Sequence, residues 1–592
     1  IALGYNALQA NTVGTHNIAI GSQALYTSSD GLQNVAIGEK ALYSASSADQ
    51  NVAIGTLALY NSTANANTAV GFNAAVANTT GTGNTALGYQ ALYTNVDGAR
   101  NTAVGHNALY TFEATSPTNS DNTAVGYDAG KGMTSGVYNT AIGGFALDAP
   151  LGTAAYNTAV GHYALTTATS GGGNVAVGES ALISTSTGNS NIGIGRDALY
   201  SNQQGDQSIA IGGNALHHAN PSGNADMNNI AIGHVSGYAV TTGQNNILIG
   251  VNSGRYLTTA NNNTAVGHKA LYTNVDGTAN TAVGYQALYT IEPSGAAATY
   301  NTALGYEAGY AMTTGTNNVS IGANAGKGIT TGVNNIAVGK DTMGATCTGN
   351  NTVAIGSAAL NAVEDGEDNT AIGHNALYAN VSGDNNVAVG RAALVACLGS
   401  DNTAIGAYAG DAITGGVGNV AIGYQALTTE DSRSFAVAVG YRALEMQNAD
   451  ANTYNVGVGT QTGEDLTTGV ECTFVGGNAG RKNTTGTHNT YIGSSAGMKT
   501  TAGLHNTAMG YAALLEANHA DADANTAIGY GALQNVTEGA MNTAIGKNAG
   551  NNITTGDSNV CIGKDAQVGS ATGNGQVVIT NGTVVADFEG SE

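Results

Sequence analysis

The sequence contains no tryptophan and few of the residues on which ordinary globular domains depend. Of its 592 residues only 6 are Phe, 4 are Pro and 4 are Cys, and 9% are charged. The helix-forming residues Lys, Glu and Arg are therefore scarce, while Ala, Thr, Asn, Val and Ile dominate. Because 42% of the residues are apolar, the composition is not that of a disordered chain. The chain can bury a core, but one made of small side chains.

Basic residues are also few, since 16 Lys and Arg stand against 39 Asp and Glu, for a formal net charge of −23. A surface that neutralises phosphates needs clustered Lys and Arg, so we expect no nucleic-acid partner. No apolar run approaches the ~20 residues of a membrane helix, so we expect no membrane insertion. The chain opens at Ile1 without a Met, which indicates a processed or trimmed product.

Side chains that could perform chemistry are sparse as well. The four cysteines are Cys347, Cys397, Cys472 and Cys561. They form no CxxC pair and have no matching His, so neither a zinc site nor a disulfide framework is expected. The acidic cluster at 364–368 lacks the ligand spacing of a calcium loop. Catalysis requires unlike groups that converge at one place, and we expect no enzyme, no cofactor and no catalytic or metal-binding residue.

What the sequence has instead is one phrase repeated from end to end. The Gly of N-[TVI]-A-[IVL]-G recurs 33 times between Gly4 and Gly563, and 24 of the 32 intervals are 17 residues long. We call each copy a coil and number its Asn as slot 0 and its Gly as slot 4. A repeat of this length that leaves no room for a second domain predicts a solenoid over residues 1–563.

Slots 1 to 3 predict a β-strand in every coil. Slot 1 is Val, Ile or Thr and slot 3 is Ile, Val, Leu or Met in all 33 copies, while slot 2 is Ala in 26. Such a series favours extended backbone, and since neither face of the strand is polar, both are expected to be buried. Asn fills slot 0 in 28 of 32 copies, and stacked Asn amides can hydrogen-bond from coil to coil. The fold class predicted is all-β, a parallel β-solenoid (β-roll) of about 33 coils.

Two slots with a compensating pattern predict the interior. Slot 8 is Leu in 20 copies but Gly in 10, and most of the Gly copies place an apolar residue at slot 11, such as Met133, Ile413 or Ile553. Because cores best tolerate exchanges that conserve volume, both slots are expected to face inward. Slot 5 accepts Tyr, His and charged residues alike, so it is expected to face water.

The repeat is interrupted in two ways. All four prolines fall in coils longer than 17 residues, and since proline cannot donate to a β-ladder, the extra residues are expected to bulge outward as loops. After Gly563 the phrase stops, and residues 575–588 predict two strands around an Asn581-Gly582 turn. Residues 564–592 are interpreted as a C-terminal β-hairpin that caps the stack or joins it to a following domain.

The phrase N-T-A-I-G-x-x-A, present as NTAIGYGAL at 525–533 and NTAIGKNAG at 542–550, resembles two related groups of repeats. One is the repeat of phage tail fibres, and the other is the left-handed β-roll head repeat of trimeric autotransporter adhesins. The resemblance covers about residues 1 to 563, and its 17-residue coil is longer than the usual adhesin head repeat. The closing VVADFEGSE is similar to the segment that precedes the self-cleaving chaperone domain of some tail fibres.

The resemblance implies a homotrimer that projects from a virion tail or a cell surface and binds a host glycan or protein. A strand that is apolar on both faces could meet its own coil on one side and partner chains on the other, although Phe474 and Tyr491 at slot 2 would then have to widen a tight three-fold axis. We predict an extracellular structural and adhesive fibre protein that gains avidity from many copies of one surface. The sequence leaves open a self-assembling extracellular matrix filament without a dedicated receptor, and thirdly a depolymerase.

Candidate receptor contacts lie in the long coils and in slot 5. They are Glu113, Pro117, Pro221, Glu292, Pro293, Tyr89 and Tyr285. Tyrosine rings can stack on sugars or on proteins, and the competing interpretation is ring packing between coils that protects the ladder.

Overall fold

A computed structural model describes residues 1–114, 119–149, 154–293, 295, 297–430, 432–449 and 451–580, and the backbone of 585–588. Over these residues the chain consists of short strands and turns, with no helix. It divides into two compact units, Ile1–Tyr300 and Asn301–Glu592. Each unit is a parallel β-solenoid, as the repeat predicts. Pro117 and the turn at Asn581-Gly582 lie outside the described residues.

Unit 1 carries one strand on each coil, at slots 1 to 3. The strands are β1 (Ala2–Leu3), β2 (Ile18–Ile20), β3 (Val35–Ile37), β4 (Val52–Ile54), β5 (Thr68–Val70), β6 (Thr85–Leu87), β7 (Thr102–Val104), β8 (Thr123–Val125), β9 (Thr140–Ile142), β10 (Thr158–Val160), β11 (Val175–Val177), β12 (Ile192–Ile194), β13 (Ile209–Ile211), β14 (Ile230–Ile232), β15 (Ile247–Ile249), β16 (Thr264–Val266) and β17 (Thr281–Val283).

Unit 2 repeats the arrangement and adds two longer strands at its end. Its strands are β18 (Thr302–Leu304), β19 (Val319–Ile321), β20 (Ile336–Val338), β21 (Val353–Ile355), β22 (Thr370–Ile372), β23 (Val387–Val389), β24 (Thr403–Ile405), β25 (Val420–Ile422), β26 (Val437–Val439), β27 (Val456–Val458), β28 (Thr473–Val475), β29 (Thr490–Ile492), β30 (Thr507–Met509), β31 (Thr526–Ile528), β32 (Thr543–Ile545), β33 (Val560–Ile562), β34 (Val577–Thr580) and β35 (Val585–Phe588).

Within each unit, successive coils stack in register. Each strand pairs in parallel with the next one along the chain, slot against the same slot, as Ala86 of β6 pairs with Ala103 of β7. The pairing extends past the strands, since the Gln90 amide donates to Phe72 O in the preceding coil at 3.0 Å and the Leu92 amide donates to Ala108 O in the following coil at 2.9 Å. Hydrogen bonds therefore join neighbouring coils around much of their circumference.

The core is a set of columns of small and aliphatic side chains. Slots 2, 7 and 8 are fully buried, as at Ala86, Ala91 and Leu92. Where slot 8 is glycine, slot 11 fills the space, because a Cβ added to Gly410 would lie 2.9 Å from Cδ1 of the buried Ile413. The predicted inward orientation of slots 8 and 11 is confirmed.

The aromatic residues at slot 2 also lie inside the coil. Phe474 and Tyr491 are fully buried, and their rings stack at 5.1 Å. Glycine stands at slot 8 beside them, and a Cβ on Gly480 would lie 2.9 Å from the Phe474 ring, while one on Gly497 would overlap the Tyr491 ring. The expectation that these rings would widen a three-fold axis is wrong, because slot 2 faces the core and the loss of the slot-8 side chain makes the room.

A buried asparagine column stabilises the stack. The Asn101 amide N–H donates to Oδ1 of Asn84 at 2.9 Å, and Nδ2 of Asn84 donates to Gly98 O at 2.8 Å. Both asparagines are buried. Each Asn thus satisfies a backbone donor of the next coil and a carbonyl of its own, which is the coil-to-coil bonding that the slot-0 pattern predicts.

A glycine column runs beside it at slot 4. Gly88 adopts φ 141°, and a Cβ added to it would overlap the carbonyl oxygen of Gly105 in the next coil. Both the backbone conformation and the close approach require glycine here. A side chain at this slot would push neighbouring coils apart.

The outer face of the strands remains partly open in the single chain. Slot 2 is buried, but slot 3 is half-buried to exposed, with Leu87 46%, Ile142 39% and Leu304 48% exposed. The prediction that both faces are buried is therefore wrong for one chain alone. An apolar column follows the strands of each unit and faces solvent.

The C-terminal end departs from the repeat. Strand β34 pairs in parallel with β33 and antiparallel with β35, with Val577 opposite Phe588. The two predicted strands are present and antiparallel. The role of 564–592 as a cap or a junction stays a prediction.

Candidate receptor-contact surface

Three coils of unit 1 are 21 residues long and return to the ladder in the same way. They span 101–121, 208–228 and 280–300. Each rejoins the preceding coil through an isolated parallel bridge at slot 15 of that coil. The bridges are Ala99–Asn119, Asp206–Asp226 and Thr278–Ala298. All three coils therefore return to the ladder at the same position around the coil.

An apolar ring anchors each of these loops on a glycine of the coil before it. A Cβ added to Gly98 would lie 2.7 Å from the Phe112 ring. One added to Gly205 would lie 3.1 Å from the Pro221 ring, and one added to Gly277 would lie 3.1 Å from the Pro293 ring. The glycine at slot 14 thus leaves room for the ring.

The predicted contact residues of the loops differ in exposure. Glu113 and Glu292 are exposed, Pro293 is half-buried and Pro221 is buried. Within the loop that the interrupted repeat predicts, Pro221 itself does not face solvent, because its ring packs on Gly205. The exposed part of that loop is residues 222–224.

Glu113 lines a surface groove of about 490 Å³. The other lining residues are Asp97, Thr111, Ala114, Thr134 and Ser135. The Glu113 amide N–H donates to Thr134 O at 2.7 Å, which fixes the backbone beside the groove. Two carboxylates and several hydroxyl groups thus line one depression, and they can accept hydrogen bonds from the hydroxyl or amino groups of a ligand.

Sequence reasoning missed Asp97, although a signal for it exists. Residues 94–113 and 273–292 share the phrase TNVDG, then NTAVG, then ALYT followed one residue later by Glu. This two-coil cassette carries Asp97 with Glu113 in one copy and Asp276 with Glu292 in the other. The acidic pair is therefore a duplicated feature of unit 1.

The slot-5 tyrosines lie in stacked aromatic columns. Tyr89 is stacked between Phe72 and His106, with ring centroids at 5.6 and 4.9 Å, and Tyr285 is stacked on His268 at 5.4 Å. The two tyrosines are 45% and 41% exposed, in agreement with the solvent-facing slot 5 that the sequence predicts. Both faces of the Tyr89 ring are covered by its neighbours, so a ligand would reach its edge and hydroxyl group. This geometry favours ring packing between coils over stacking of sugars on Tyr89.

Unit 2 has a groove of its own, of about 510 Å³, near slots 6 to 9. It is lined by Asn324, Lys327, Asp341, Gly344, Ala345, Asn361 and Ala362. Lys327 forms an ion pair with Glu307 at 2.7 Å, and this hydrogen bond lowers the pKa of the Glu307 carboxyl. The hydrogen bond from the Asn324 amide likewise lowers the pKa of Asp341. At neutral pH the groove therefore carries fixed charges of both signs.

Metal ligands and reactive thiols are scarce among the described residues. No group of three or more His, Cys, Asp or Glu side chains in this part of the chain is placed to hold a metal ion. The four cysteines are buried and form no disulfide bonds. Burial raises the pKa of Cys347, Cys397 and Cys472 to about 11, so their thiols stay protonated and weakly nucleophilic at neutral pH.

A comparison with protein-family models finds no match, and a comparison with curated proteins finds none either. In the described part of the chain no helix is long and apolar enough to cross a membrane.

Proposed function

We propose that this chain is a structural and adhesive fibre protein of a phage tail or a cell surface, which assembles as a homotrimer and binds a host surface multivalently. The observation that carries the proposal is the apolar column on the outer face of the strands. It is present in both units, for example at Leu87 and Ile142 in unit 1 and at Leu304 in unit 2.

A continuous apolar column of this kind is unusual on a soluble monomer and marks an interaction surface. The column repeats with each coil, so the partner that fits it best repeats in the same way. A second and a third copy of the chain meet this requirement, because each presents the same column. The likeness of the phrase N-T-A-I-G to the repeats of trimeric fibres supports three copies.

The mass in solution tests the assembly. Light scattering on the purified protein is expected to give three times the 58.7 kDa of one chain. A monomer of 58.7 kDa would contradict the proposal. An end-to-end polymer in electron micrographs would instead favour a matrix filament, whereas particles of one length favour the fibre.

Charge placed on the apolar column is expected to dissociate the trimer. Met509, Ile528 and Ile545 occupy slot 3 of three successive coils and are partly exposed. We expect the triple variant Met509→Glu, Ile528→Glu, Ile545→Glu to remain folded by circular dichroism and to scatter as a monomer, since three carboxylates per chain would otherwise be buried. Met541→Glu is the matched control, because Met541 is exposed at slot 16, outside the column, and this variant should keep the trimer mass.

Host attachment is assigned to the loops of the 21-residue coils, with Glu113 and Glu292 on their exposed side. Labelled full-length protein is incubated with a panel of bacterial cells, and bound fluorescence is compared with that of a variant in which each of these coils is shortened by four residues. We expect the variant to lose binding and to remain a trimer, as judged by light scattering. Unchanged binding would show that the loops, with Glu113 and Glu292, do not contact the receptor. The double variant Tyr89→Ala, Tyr285→Ala tests in the same assay whether the slot-5 tyrosines contribute to binding.

A further inference from the structure

Three tyrosines at slot 9 of successive coils form a stacked row in unit 1, which we call the first tyrosine row. Its members are Tyr26, Tyr43 and Tyr60, and their ring centroids lie 5.0 Å apart at both steps. The ring planes are inclined by 8° and 16°. All three rings are half-buried, so each keeps an edge in contact with solvent.

The backbone holds these rings in place on both sides. The Leu25 amide donates to Ala41 O at 3.0 Å, and the Thr27 amide donates to Tyr43 O at 3.1 Å. Hydrogen bonds before and after Tyr26 thus fix it against the next coil. Because the coils stack in register, successive rings lie face to face with their centroids 5.0 Å apart, which brings the same edge of each phenol to the same side of the row.

We propose that the stacked tyrosine rows are sites of oxidative cross-linking, at which a dityrosine bond joins one coil to the next. The inference is independent of the proposed function, since it requires only the stack. A one-electron oxidant, such as a haem peroxidase with hydrogen peroxide, removes one electron and the phenolic proton from each of two neighbouring tyrosines. The two tyrosyl radicals form a carbon–carbon bond between ortho carbons, and each of these carbons then passes its hydrogen to its oxygen, which restores both phenols. The net loss is two electrons to the oxidant and two protons to water.

The geometry selects which pairs react. Stacked tyrosine pairs recur along the chain, and they are Tyr26–Tyr43, Tyr43–Tyr60, Tyr93–Tyr110, Tyr138–Tyr156, Tyr272–Tyr289, Tyr424–Tyr441 and Tyr511–Tyr530. Tyr256 and Tyr272 are equally close at 5.2 Å, but their planes are inclined by 84°. In this pair the edge of one ring meets the face of the other. The effect of ring orientation on cross-linking can therefore be compared with the effect of ring distance within one protein.

A dityrosine at these positions would act as a covalent staple between coils. Neighbouring coils are consecutive in the chain, and the two rings of a stacked pair contact each other without a covalent bond. A bond between them would therefore close a loop of about one coil, which is 17 residues for Tyr26 and Tyr43. Loop closure restricts the unfolded chain, as disulfides do. Oxidation would therefore increase resistance to unravelling without a change of fold.

The experiment uses the full-length protein and a photo-excited tris(bipyridyl)ruthenium complex with persulfate as the one-electron oxidant. We expect blue dityrosine fluorescence and a mass lower by two hydrogen atoms per cross-link. Trypsin cleaves after Lys40, Arg100 and Lys131, so a Tyr26–Tyr43 link joins peptides 1–40 and 41–100. The yield should not depend on protein concentration. No link should join 256–269 to 270–327, the peptides that contain the edge-to-face pair.

The variant Tyr43→Phe keeps the ring and removes the phenol from the first tyrosine row. It should abolish the link between 1–40 and 41–100 and leave the link between 41–100 and 101–131, which arises from Tyr93 and Tyr110. Tyr93→Phe should give the reverse pattern, which makes each variant the control for the other. Yields that rise with protein concentration, links that join 256–269 to 270–327 as often as the stacked pairs, or a link of peptide 1–40 that survives Tyr43→Phe would overturn the proposal.

Discussion

At slot 0 one asparagine side chain satisfies groups in two coils. Oδ1 of Asn84 accepts from the backbone N–H of Asn101 at 2.9 Å and from its Nδ2 at 3.2 Å. Nδ2 of Asn84 donates to Gly98 O, as described above. Where slot 0 is Ser208 or Ala436, the backbone N–H still donates to the Asn of the preceding coil, so this bond depends on the preceding Asn side chain. The side chain is therefore selected for its acceptor and donor together.

Asn84→Ala is expected to destabilise unit 1. It leaves the buried Asn101 N–H without its acceptor, whereas Gly98 C=O still accepts from Nδ2 of Asn95 at 2.9 Å. One buried unsatisfied group costs about 1–3 kcal/mol. Urea unfolding followed by circular dichroism measures the change. Asn61→Ala is the control, because Asn61 is exposed at slot 10 and the substitution should change stability by less than about 0.5 kcal/mol. Equal effects of the two substitutions would contradict the role of the asparagine column.

The buried thiols make a second prediction at this scale. Cys347, Cys397, Cys472 and Cys561 are buried thiols outside disulfide bonds. None should therefore react with dithionitrobenzoate in the native protein at about pH 8, and all four should react in denaturant. Absorbance of the released thiolate counts the reacting groups. Rapid reaction of any cysteine in the native protein would show that its coil opens.

One coil is the smallest element of this fold, and its backbone is less predictable than its core. The strand at slots 1–3 and the inward slots 8 and 11 follow from side-chain patterns. Leu92 at slot 8 nevertheless adopts φ 55° and Gln90 at slot 6 adopts φ 52°. Leucine carries no signal for a left-handed conformation, and the hydrogen bonds of these residues to adjacent coils exist only in the stack. Composition alone could not predict them, because tertiary contacts determine the conformation.

The candidate receptor-contact surface is likewise predictable from the sequence only in part. The exposed glutamates of the long coils follow from the interrupted repeat, because a coil longer than its neighbours must place its extra residues outside the ladder. The inward packing of Pro221 depends on the glycine at slot 14 of the coil before it, and Asp97 enters the groove only because neighbouring coils stack in register. Both are relations between coils that one stretch of sequence does not contain.

Exchange of volume between slots 8 and 11 can be tested within one coil. Gly410→Leu would bring its side chain against Ile413 and Leu394, and overpacking of this kind costs about 1–3 kcal/mol. The left-handed backbone at Gly410 adds about 1–2 kcal/mol for a leucine, a strain that Leu394 already carries at slot 8 of the preceding coil at φ 50°.

The compensating change is Ile413→Ala, which alone leaves a cavity and costs about 2–5 kcal/mol. The double variant Gly410→Leu, Ile413→Ala should be more stable than the sum of the two single changes predicts, as measured by urea unfolding in a double-mutant cycle. Additive destabilisation would mean that the two slots do not share one space.

At the scale of the whole molecule, ionisable groups with altered pKa are unevenly distributed. All four cysteines and the buried Tyr491 belong to unit 2, and burial raises the pKa of Tyr491 as well as that of three thiols. In the folded chain these groups stay neutral over a pH range in which the same groups ionise in the unfolded chain. Unit 2 should therefore respond to alkaline pH in a way that unit 1 does not share.

The direction of this response follows from the thiols. Their pKa rises from 9.0 to about 11 on folding, so their contribution to stability is complete below pH 9 and declines as pH rises from 9 to 11. Each pKa unit corresponds to about 1.4 kcal/mol per group. Pulse proteolysis in urea at about pH 8 and pH 10, with fragments assigned by mass spectrometry, should show a larger loss of protection in 301–580 than in 1–293.

Cys347→Ala with Cys397→Ala should reduce the difference between the two pH values, because two of the three shifted thiols are removed. A pH response that is the same in both halves, or that is unaffected by the two substitutions, would contradict the assignment to the thiols.

The glycine column at slot 4 has a consequence for how such a gene can change. A side chain at one of these glycines would meet the carbonyl of the adjacent coil, so a single substitution there is expected to destabilise the stack. Loss or gain of a complete in-frame repeat avoids this clash where the coils brought together have the same length and the same residues at slots 8 and 11. Recombination between repeats is therefore expected to change the number of coils more readily than point mutation changes the contacts between them.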